Sequence, residues 1–276
     1  AAAIGAVVQW SFRPVAVLRA AIAKRKPFDM TPLPGAGLPN ELQPLIVGFN
    51  RVLEQLDDAV QAERRFIAEA AHELRTPLAA LLMQAQIALR ATEPAQRREA
   101  LERLTAGAQR SARLTEQLLD LARLEAGERT VRLTRVDLHE LIVVTLRDFE
   151  VTAHQKRQTI ALDGQPCPIV GDIDELGILI RNLIDNAVRY TGAGGRIHIE
   201  CRRTAHPGRP VVRLSIEDDG PGVPANERER IFERFFRGSG QTERGSGIGL
   251  SLVARIAEMH GASVEVGLGI DGEGFG

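Results

Sequence analysis

The chain has 276 residues, 44% of them hydrophobic and 26% charged, ordinary values for folded soluble segments and enough to bury real cores. Its 35 Lys plus Arg against 36 Asp plus Glu leave a formal net charge of −1, which removes the electrostatic case for a nucleic-acid binder. The two cysteines, Cys167 and Cys201, lie far apart and in no metal-ligand spacing, so they read as reduced thiols of a cytoplasmic protein without a disulfide framework.

Ala1 to Trp10 supplies roughly ten apolar residues, half of what a membrane span needs. Trp10 takes the interface position, and Arg13, Arg19, Lys24, Arg25 and Lys26 follow it on what is then the positive inside. Residues 1–12 therefore read as the end of a truncated transmembrane helix of a bacterial inner membrane, with this region on the cytoplasmic side; a cloning remnant or a mobile tail is the alternative. Pro14 to Ala23 predicts a short apolar helix, and Pro27, Pro32, Pro34, Gly35, Gly37 and Pro39 exclude regular structure until about Asn40. Asn40 caps a second helix, with Glu41 in its first turn and Leu42, Leu45, Phe49, Val52, Leu53 and Leu56 as its apolar stripe. Over residues 13–62, helix, extended connector and helix resemble a HAMP linker, a parallel coiled coil that relays motion from a membrane receptor; an ordinary helical linker fits the same pattern.

The second helix runs on through Glu63 to about Arg90, where Ala91-Thr92-Glu93-Pro94 ends it. With about 100° per residue, Ile67, Ala71, Leu78, Leu81, Ala85 and Ala88 fall within about 60° of Leu74, which predicts a buried stripe. His72 lies on the opposite face, with Thr76 one turn further on, so His72 points to solvent. Glu73 is a carboxylate able to accept an imidazole proton. Pro77 has no N–H for the carbonyl of Glu73 and loosens the helix there. Glu99 to about Glu125 carries Leu101, Leu104, Ala108, Leu114, Leu118, Leu121 and Leu124 near one face, which makes a helical hairpin of residues 63–127. Two such stripes are not buried by one hairpin, and a homodimeric four-helix bundle solves this.

After Gly127 the pattern alternates between strands and helices, and residues 128–276 are expected to form a second, α/β domain. Val131 to Val136 and Thr159 to Leu162 read as strands, Asp137 to about Thr152 as a helix, and Asp172 with Glu175 as a capping box. On the helix that follows, Asn182 and Asn186 stand four apart with Arg189 nearly in line. Two carboxamides on one face can hold a cation and its water, and Asn is unusual inside a helix. Val212, Leu214 and Ile216 alternate with polar residues, so Asp218 is delivered to the inward face and Asp219 points away. A carboxylate placed there, ahead of Gly220-Pro221-Gly222, needs a donor. The exocyclic amine of adenine is one, whereas the guanine carbonyl repels it. Ile231 to Phe236 holds three phenylalanines, Arg237 to Arg244 is a flexible polar loop, and Gly245-Ser246-Gly247-Ile248-Gly249-Leu250 opens a helix ending near Gly261 whose amides can approach phosphate. Gly261 to Val266 reads as a strand and Gly267 to Gly274 as a turn, with Phe275-Gly276 opening a returning strand whose remainder is absent.

These runs carry a resemblance. His72-Glu73-Leu74-Arg75-Thr76-Pro77-Leu78 is similar to the phospho-acceptor box of two-component sensor histidine kinases. Asn182 to Ala187, Asp218 to Gly222, Ile231 to Phe236 and Gly245 to Leu250 resemble, in family order, the N, G1, F and G2 boxes of the GHKL ATP-binding fold. The context of His72 looks most like the QseC and PmrB type of sensor. The resemblance covers about Glu63 to Phe275. It implies an all-α dimeric helical hairpin followed by an α/β two-layer sandwich of the GHKL (Bergerat) type. It also implies transfer of the γ-phosphoryl group of Mg·ATP to His72 with Glu73 as general base. Mg²⁺ would sit on Asn186 and Asn182, and ATP would be bound by Asn182, Asn186, Arg189, Tyr190, Asp218, Gly220, Gly222, Phe232, Gly245, Gly247, Gly249 and Leu250. The phosphoryl group would pass to an aspartate of a response regulator, and Thr76 could orient the water of a regulator phosphatase. A GHKL ATPase of the motor or chaperone class is a rival, against which Asn182 stands where such enzymes usually carry a Glu that activates water. The other rival is an ATP-binding dimeric scaffold or a phosphatase-dominant sensor.

Overall fold

The computed structural model describes residues 15–16, 19–20, 23–26, 29–35, 39, 42–126, 132–206, 209–238, 245–272 and 274–276. The expectations placed on Ala1 to Trp10, Arg13, Pro27, Gly37, the Asn40 cap with Glu41, residues 127–131 and the loop at 239–244 lie outside them. Among the described residues no helix is long and apolar enough to cross a membrane. The chain divides into two compact units, Ala1–His72 and Glu73–Gly276, so the division falls inside helix α1 (Gln43–Arg90).

In the first unit, positions 15–16, 19–20 and 23 are helical and the described part of the connector, 29–35, is irregular. The connector is clipped to α1 by one side chain. Asn50 Oδ1 accepts the Leu33 N–H at 2.7 Å and its Nδ2 donates to the Leu33 carbonyl at 3.0 Å, while Leu33, Ile46 and Leu53 are buried. Ile46, Asn50 and Leu53 share a face at helical spacing, so this face, not the whole predicted stripe, receives the connector. Leu45, Phe49, Val52 and Leu56 stay exposed. Nearby, the Asp29 carboxylate accepts the Thr31 hydroxyl at 2.6 Å and its N–H at 3.1 Å, bonds that hold Asp29 below the usual carboxylate range.

In the second unit α1 continues unbroken across Pro77. Helix α2 (Pro94–Ala126) begins five residues earlier than expected. Pro94 starts it rather than ending its predecessor, because a proline at a first helical position has no N–H to leave unsatisfied and its φ is already helical. Arg97 Nη2 donates to the Ala91 carbonyl at 2.8 Å, closing the loop between the two helices. A Cβ on Gly107 would stand 2.8 Å from Leu81 Cδ2, so the helices approach closely there. Of the stripe expected on α1, Ala88 is buried and Leu74, Leu81 and Ala85 are half-buried, but Ile67, Ala71 and Leu78 are exposed.

The α/β part runs β1 (Thr134–Asp137), α3 (Leu138–Leu146), α4 (Glu150–Gln155), β2 (Thr159–Gly164), β3 (Pro168–Gly171), α5 (Ile173–Tyr190), β4 (Arg196–His206), β5 (Arg209–Asp218) and α6 (Gly249–Met259). β1 pairs antiparallel with β3, and a second sheet has the order β2-β4-β5, parallel then antiparallel. Asp137 caps α3, accepting the N–H groups of His139 and Cys167, each at 3.0 Å. The single helix expected over Asp137 to Thr152 is broken at 147–149, where bonds from Asp148 to Thr145 and from Phe149 to Leu146 tighten the chain and Phe149 joins the core. That core is Ile142, Ile180, Ile184, Ile197, Ile199 and their neighbours, with Cys167 and Cys201 buried and free within it. Burial, then the adjoining Cys167, pushes the Cys201 thiol up to about 12, so it stays protonated.

Two further expectations change. Asp172 caps α5 by accepting the N–H groups of Asp174 and Glu175, but its own N–H goes to His260 Nε2 at 3.1 Å, so the reciprocal arm of the capping box is taken over by a residue 88 positions away. The strand expected over Gly261 to Val266 forms no ladder. Among the described residues the pairing falls beyond it, in the segment expected as a turn, through the Leu268↔Phe275 bridge and the Gly267 N–H to Gly276 carbonyl bond at 2.6 Å.

Candidate active site

The alternation of β5 delivers Asp218 inward. Val212, Leu214 and Ile216 pack on the core, and Asp218 at the strand end is 3% exposed. Asp219 turns the other way and accepts the Arg196 N–H at 2.8 Å. Burial pushes the Asp218 carboxyl up, and the N–H groups of Gly220 at 2.8 Å and Phe275 at 3.4 Å counteract part of that rise. Both donors reach Oδ1. Oδ2 is thereby left for a ligand donor, which is the arrangement an exocyclic amine fits.

Helix α5 is held at both ends. At its C-terminus Lys156 Nζ donates to the carbonyls of Val188 at 2.9 Å and Arg189 at 2.8 Å, and Gln158 Nε2 donates to those of Val188 and Thr191 at 3.0 and 2.7 Å. Carbonyls that a helix end leaves unpaired are thus satisfied by side chains, which fixes the turn carrying Asn186, Arg189 and Tyr190. Arg189 forms an ion pair with Asp185. Asn182 is buried and donates through Nδ2 to the Ile178 carbonyl at 2.8 Å, which turns its Oδ1 toward the glycine run. A Cβ on Gly249 would stand 2.9 Å from that oxygen, so the start of α6 approaches α5 as only glycine allows.

The glycine run is tied to the phenylalanine turn. Gly247 has φ +69° and its carbonyl accepts the Phe235 N–H at 2.9 Å; a Cβ there would meet Phe235 and Phe236 backbone atoms within 2.8 Å. Arg230 lies over the Phe236 ring, 4.3 Å from its centroid.

One cavity gathers these groups. Asn186, Arg189, Tyr190, Asp218, Gly222, Gly245, Gly247, Gly249 and Leu250 line it, together with Gln117, Asp185, Val223, Ile231, Phe236, Ser246 and Phe275. Three residues expected at the site do not line it. Asn182 stands behind Gly249, Gly220 serves Asp218 through its N–H, and Phe232 is replaced at the wall by Ile231 and Phe236. Carboxylate, carboxamides, a guanidinium and glycine amides on one cavity suit a nucleotide with its cation: oxygen donors for Mg²⁺, a cation for phosphate and an acceptor for adenine. His72 and Thr76 are exposed and Glu73 is half-buried, all on α1, whereas the cavity lining is drawn from residues 117–275. Gln117 was not legible as part of the site, since it reaches the cavity only through tertiary contacts, among them its bonds to Asn182 and Ser246. Asp185, Pro221, Ile231, Phe236 and Ser246 also line the cavity without having been singled out, and each lies inside one of the runs read from the sequence.

Three family models match the chain: Histidine kinase-, DNA gyrase B-, and HSP90-like ATPase over residues 171–274, His Kinase A (phospho-acceptor) domain over 62–127, and Sensor protein PhoQ-like, HAMP domain over 12–58. The sensor protein QseC of Escherichia coli K12 is 38% identical over 257 residues, 92% of this chain and 56% of that protein. The sensor protein kinase PmrB of Pseudomonas aeruginosa is 35% identical over 263 residues, 95% of this chain and 54% of that protein. The chain thus spans about half the length of the curated relatives it matches. Among solved structures, the Acinetobacter baumannii histidine kinase AdeS shares the fold, with a TM-score of 0.54 at 23% identity over 71% of this chain and 90% of that one.

Proposed function

We propose that the chain is a sensor histidine kinase, which transfers the γ-phosphoryl group of ATP to His72 and passes it to an aspartate of a response regulator; the matches to the ATPase, phospho-acceptor and HAMP models support this reading. The observation that carries this reading is the convergence of Asp218, Asn186, Arg189 and the Gly245–Leu250 run on one cavity, in a chain whose other half presents His72 to solvent beside Glu73.

Asp218 accepts the adenine amine, Arg189 leaves Asp185 for phosphate, and the amides of the glycine run close on the phosphate oxygens. Asn186 and Asn182 would hold Mg²⁺, which would offset the charge on the phosphates. A ring nitrogen of His72 attacks phosphorus as the bond to ADP breaks, and Glu73 takes the imidazole proton. Thr76 orients the water that dephosphorylates the regulator. The active form is a homodimer, residues 63–127 forming the acceptor hairpin and 128–276 the ATP-binding domain. A HAMP-like linker over 13–62 joins them to a transmembrane segment ending near residue 12, which sets the kinase on the cytoplasmic face of the inner membrane.

Incubation with Mg²⁺ and γ-labelled ATP tests this. Label on the chain that survives base, is lost in acid and is absent from His72→Ala supports the kinase and its acceptor together. Label that persists in His72→Ala removes the acceptor assignment. Absence of label despite bound ATP favours a scaffold or phosphatase-dominant sensor.

A further inference from the structure

Helix α2 reaches the nucleotide cavity with a single polar side chain. Gln117 Nε2 donates to Asn182 Oδ1 at 2.9 Å, and Gln117 Oε1 accepts from Ser246 Oγ at 2.8 Å. The network fixes the orientation of both amides. Ser246 Oγ accepts the Ile248 N–H at 3.3 Å and so has its own proton free for Gln117, while Asn182 Nδ2 is committed to the Ile178 carbonyl at 2.8 Å. Every donor meets an acceptor, and reversing the Gln117 amide would set its oxygen against Asn182 Oδ1.

The consequence lies in which atom of Asn182 is engaged. A carboxamide binds a hard cation through its oxygen and never through its nitrogen. In the Mg²⁺ assignment proposed above that oxygen is Asn182 Oδ1; Asn182 does not itself line the cavity, but Gln117 of the acceptor hairpin does, and it holds this oxygen while also holding the glycine run through Ser246. We propose that Gln117 is a positioning residue of the Mg·ATP site that competes with the metal for Asn182 Oδ1, so that occupancy of the site by Mg·ATP and the grip of the hairpin on the glycine run oppose each other. This rests on the nucleotide reading above and extends it to α2. Linkage makes the effect reciprocal: metal-nucleotide binding loosens the Gln117 clasp by the same factor by which the clasp weakens binding.

The test is calorimetric titration of the whole chain, performed as ATP into protein with chelator present and as Mg²⁺ into protein at fixed ATP. Gln117 is half-buried on a helix, where alanine is well tolerated, and thermal unfolding checks that the variant is folded. In Gln117→Ala the half-saturating Mg²⁺ should fall about three- to tenfold, the span of one or two net hydrogen bonds, with chelator-side ATP affinity changed by less than about twofold. Ser246→Ala, which removes one arm, should shift the same midpoint in the same direction by less, and the double variant should gain little beyond Gln117→Ala. An unchanged midpoint in Gln117→Ala, or a loss of affinity both with and without Mg²⁺, overturns the competition, the latter by making Gln117 a support of the cradle. If the parent chain binds ATP under neither condition, the nucleotide reading itself fails and the clasp falls with it.

Discussion

A single carboxylate shows how function and stability pull apart. Asp218 is 3% exposed, and burial raises its pKa in the folded chain. The folded state therefore holds that proton more tightly than the unfolded state. Its contribution to stability is present below the unfolded carboxylate range and is lost as pH rises through the raised value. Once ionised, the group destabilises the ligand-free fold, a cost that the adenine contact proposed above accounts for. Asp218→Asn keeps an oxygen for the Gly220 N–H but puts an amide nitrogen in place of the oxygen proposed to accept from adenine. Thermal unfolding of the ligand-free chain at pH 7 should move to higher temperature, and that gain should vanish as the pH is lowered below about 4. ATP affinity by calorimetry should fall about ten- to a hundredfold, the range for a lost charged hydrogen bond. A variant that binds ATP normally would remove Asp218 from adenine recognition. Period-two alternation made this residue legible, because β5 needs nothing beyond its own sequence to place it. Gln117 has no such signature: its heptad neighbours Leu114, Leu118 and Leu121 report only that α2 has a buried face.

At the scale of elements, α5 organises the site because both of its ends are tied to distant parts of the chain. Asp172 at the start is backed by His260 of the segment after α6, and Lys156 with Gln158 holds the last carbonyls. The start was readable as a capping pattern, whereas its reciprocal arm was not, since His260 arrives only through tertiary packing. The same limit explains the other differences. Pro94 ends a helix or begins one on equal local terms, and the choice was settled by Arg97 closing the loop on Ala91. The break at 147–149 answers to burial of Phe149, which helical spacing does not encode. Lys156→Met keeps the apolar stem and removes the donor to the Val188 and Arg189 carbonyls. It should lower unfolding free energy in urea by about 1–3 kcal/mol. Because the loosened turn carries Arg189, ATP affinity should weaken as well, whereas a stability loss without any change in affinity would show that the cap does not position the phosphate end.

For the whole molecule, the hairpin carries a flank that the described residues of the chain do not cover. Leu78, Leu82 and Leu89 are 52%, 67% and 85% exposed, and on α1 they fall within about 40° of one another, flanking the stripe centred on Leu74. Three leucines on one flank are costly to leave in water, each contributing about 1.5–3 kcal/mol when buried, and a two-helix hairpin has no further element of its own to lay on them. A second copy supplies one through four-helix packing. Sedimentation equilibrium of the chain at micromolar concentration should therefore report a dimer. Leu82→Glu combined with Leu89→Glu should raise the dissociation constant at least about a hundredfold, while Asp218, α5 and the glycine run, none of which includes these leucines, keep ATP binding intact. A parent chain that is monomeric, or a double variant that dimerises as tightly as the parent, would show that this flank is not the dimer face.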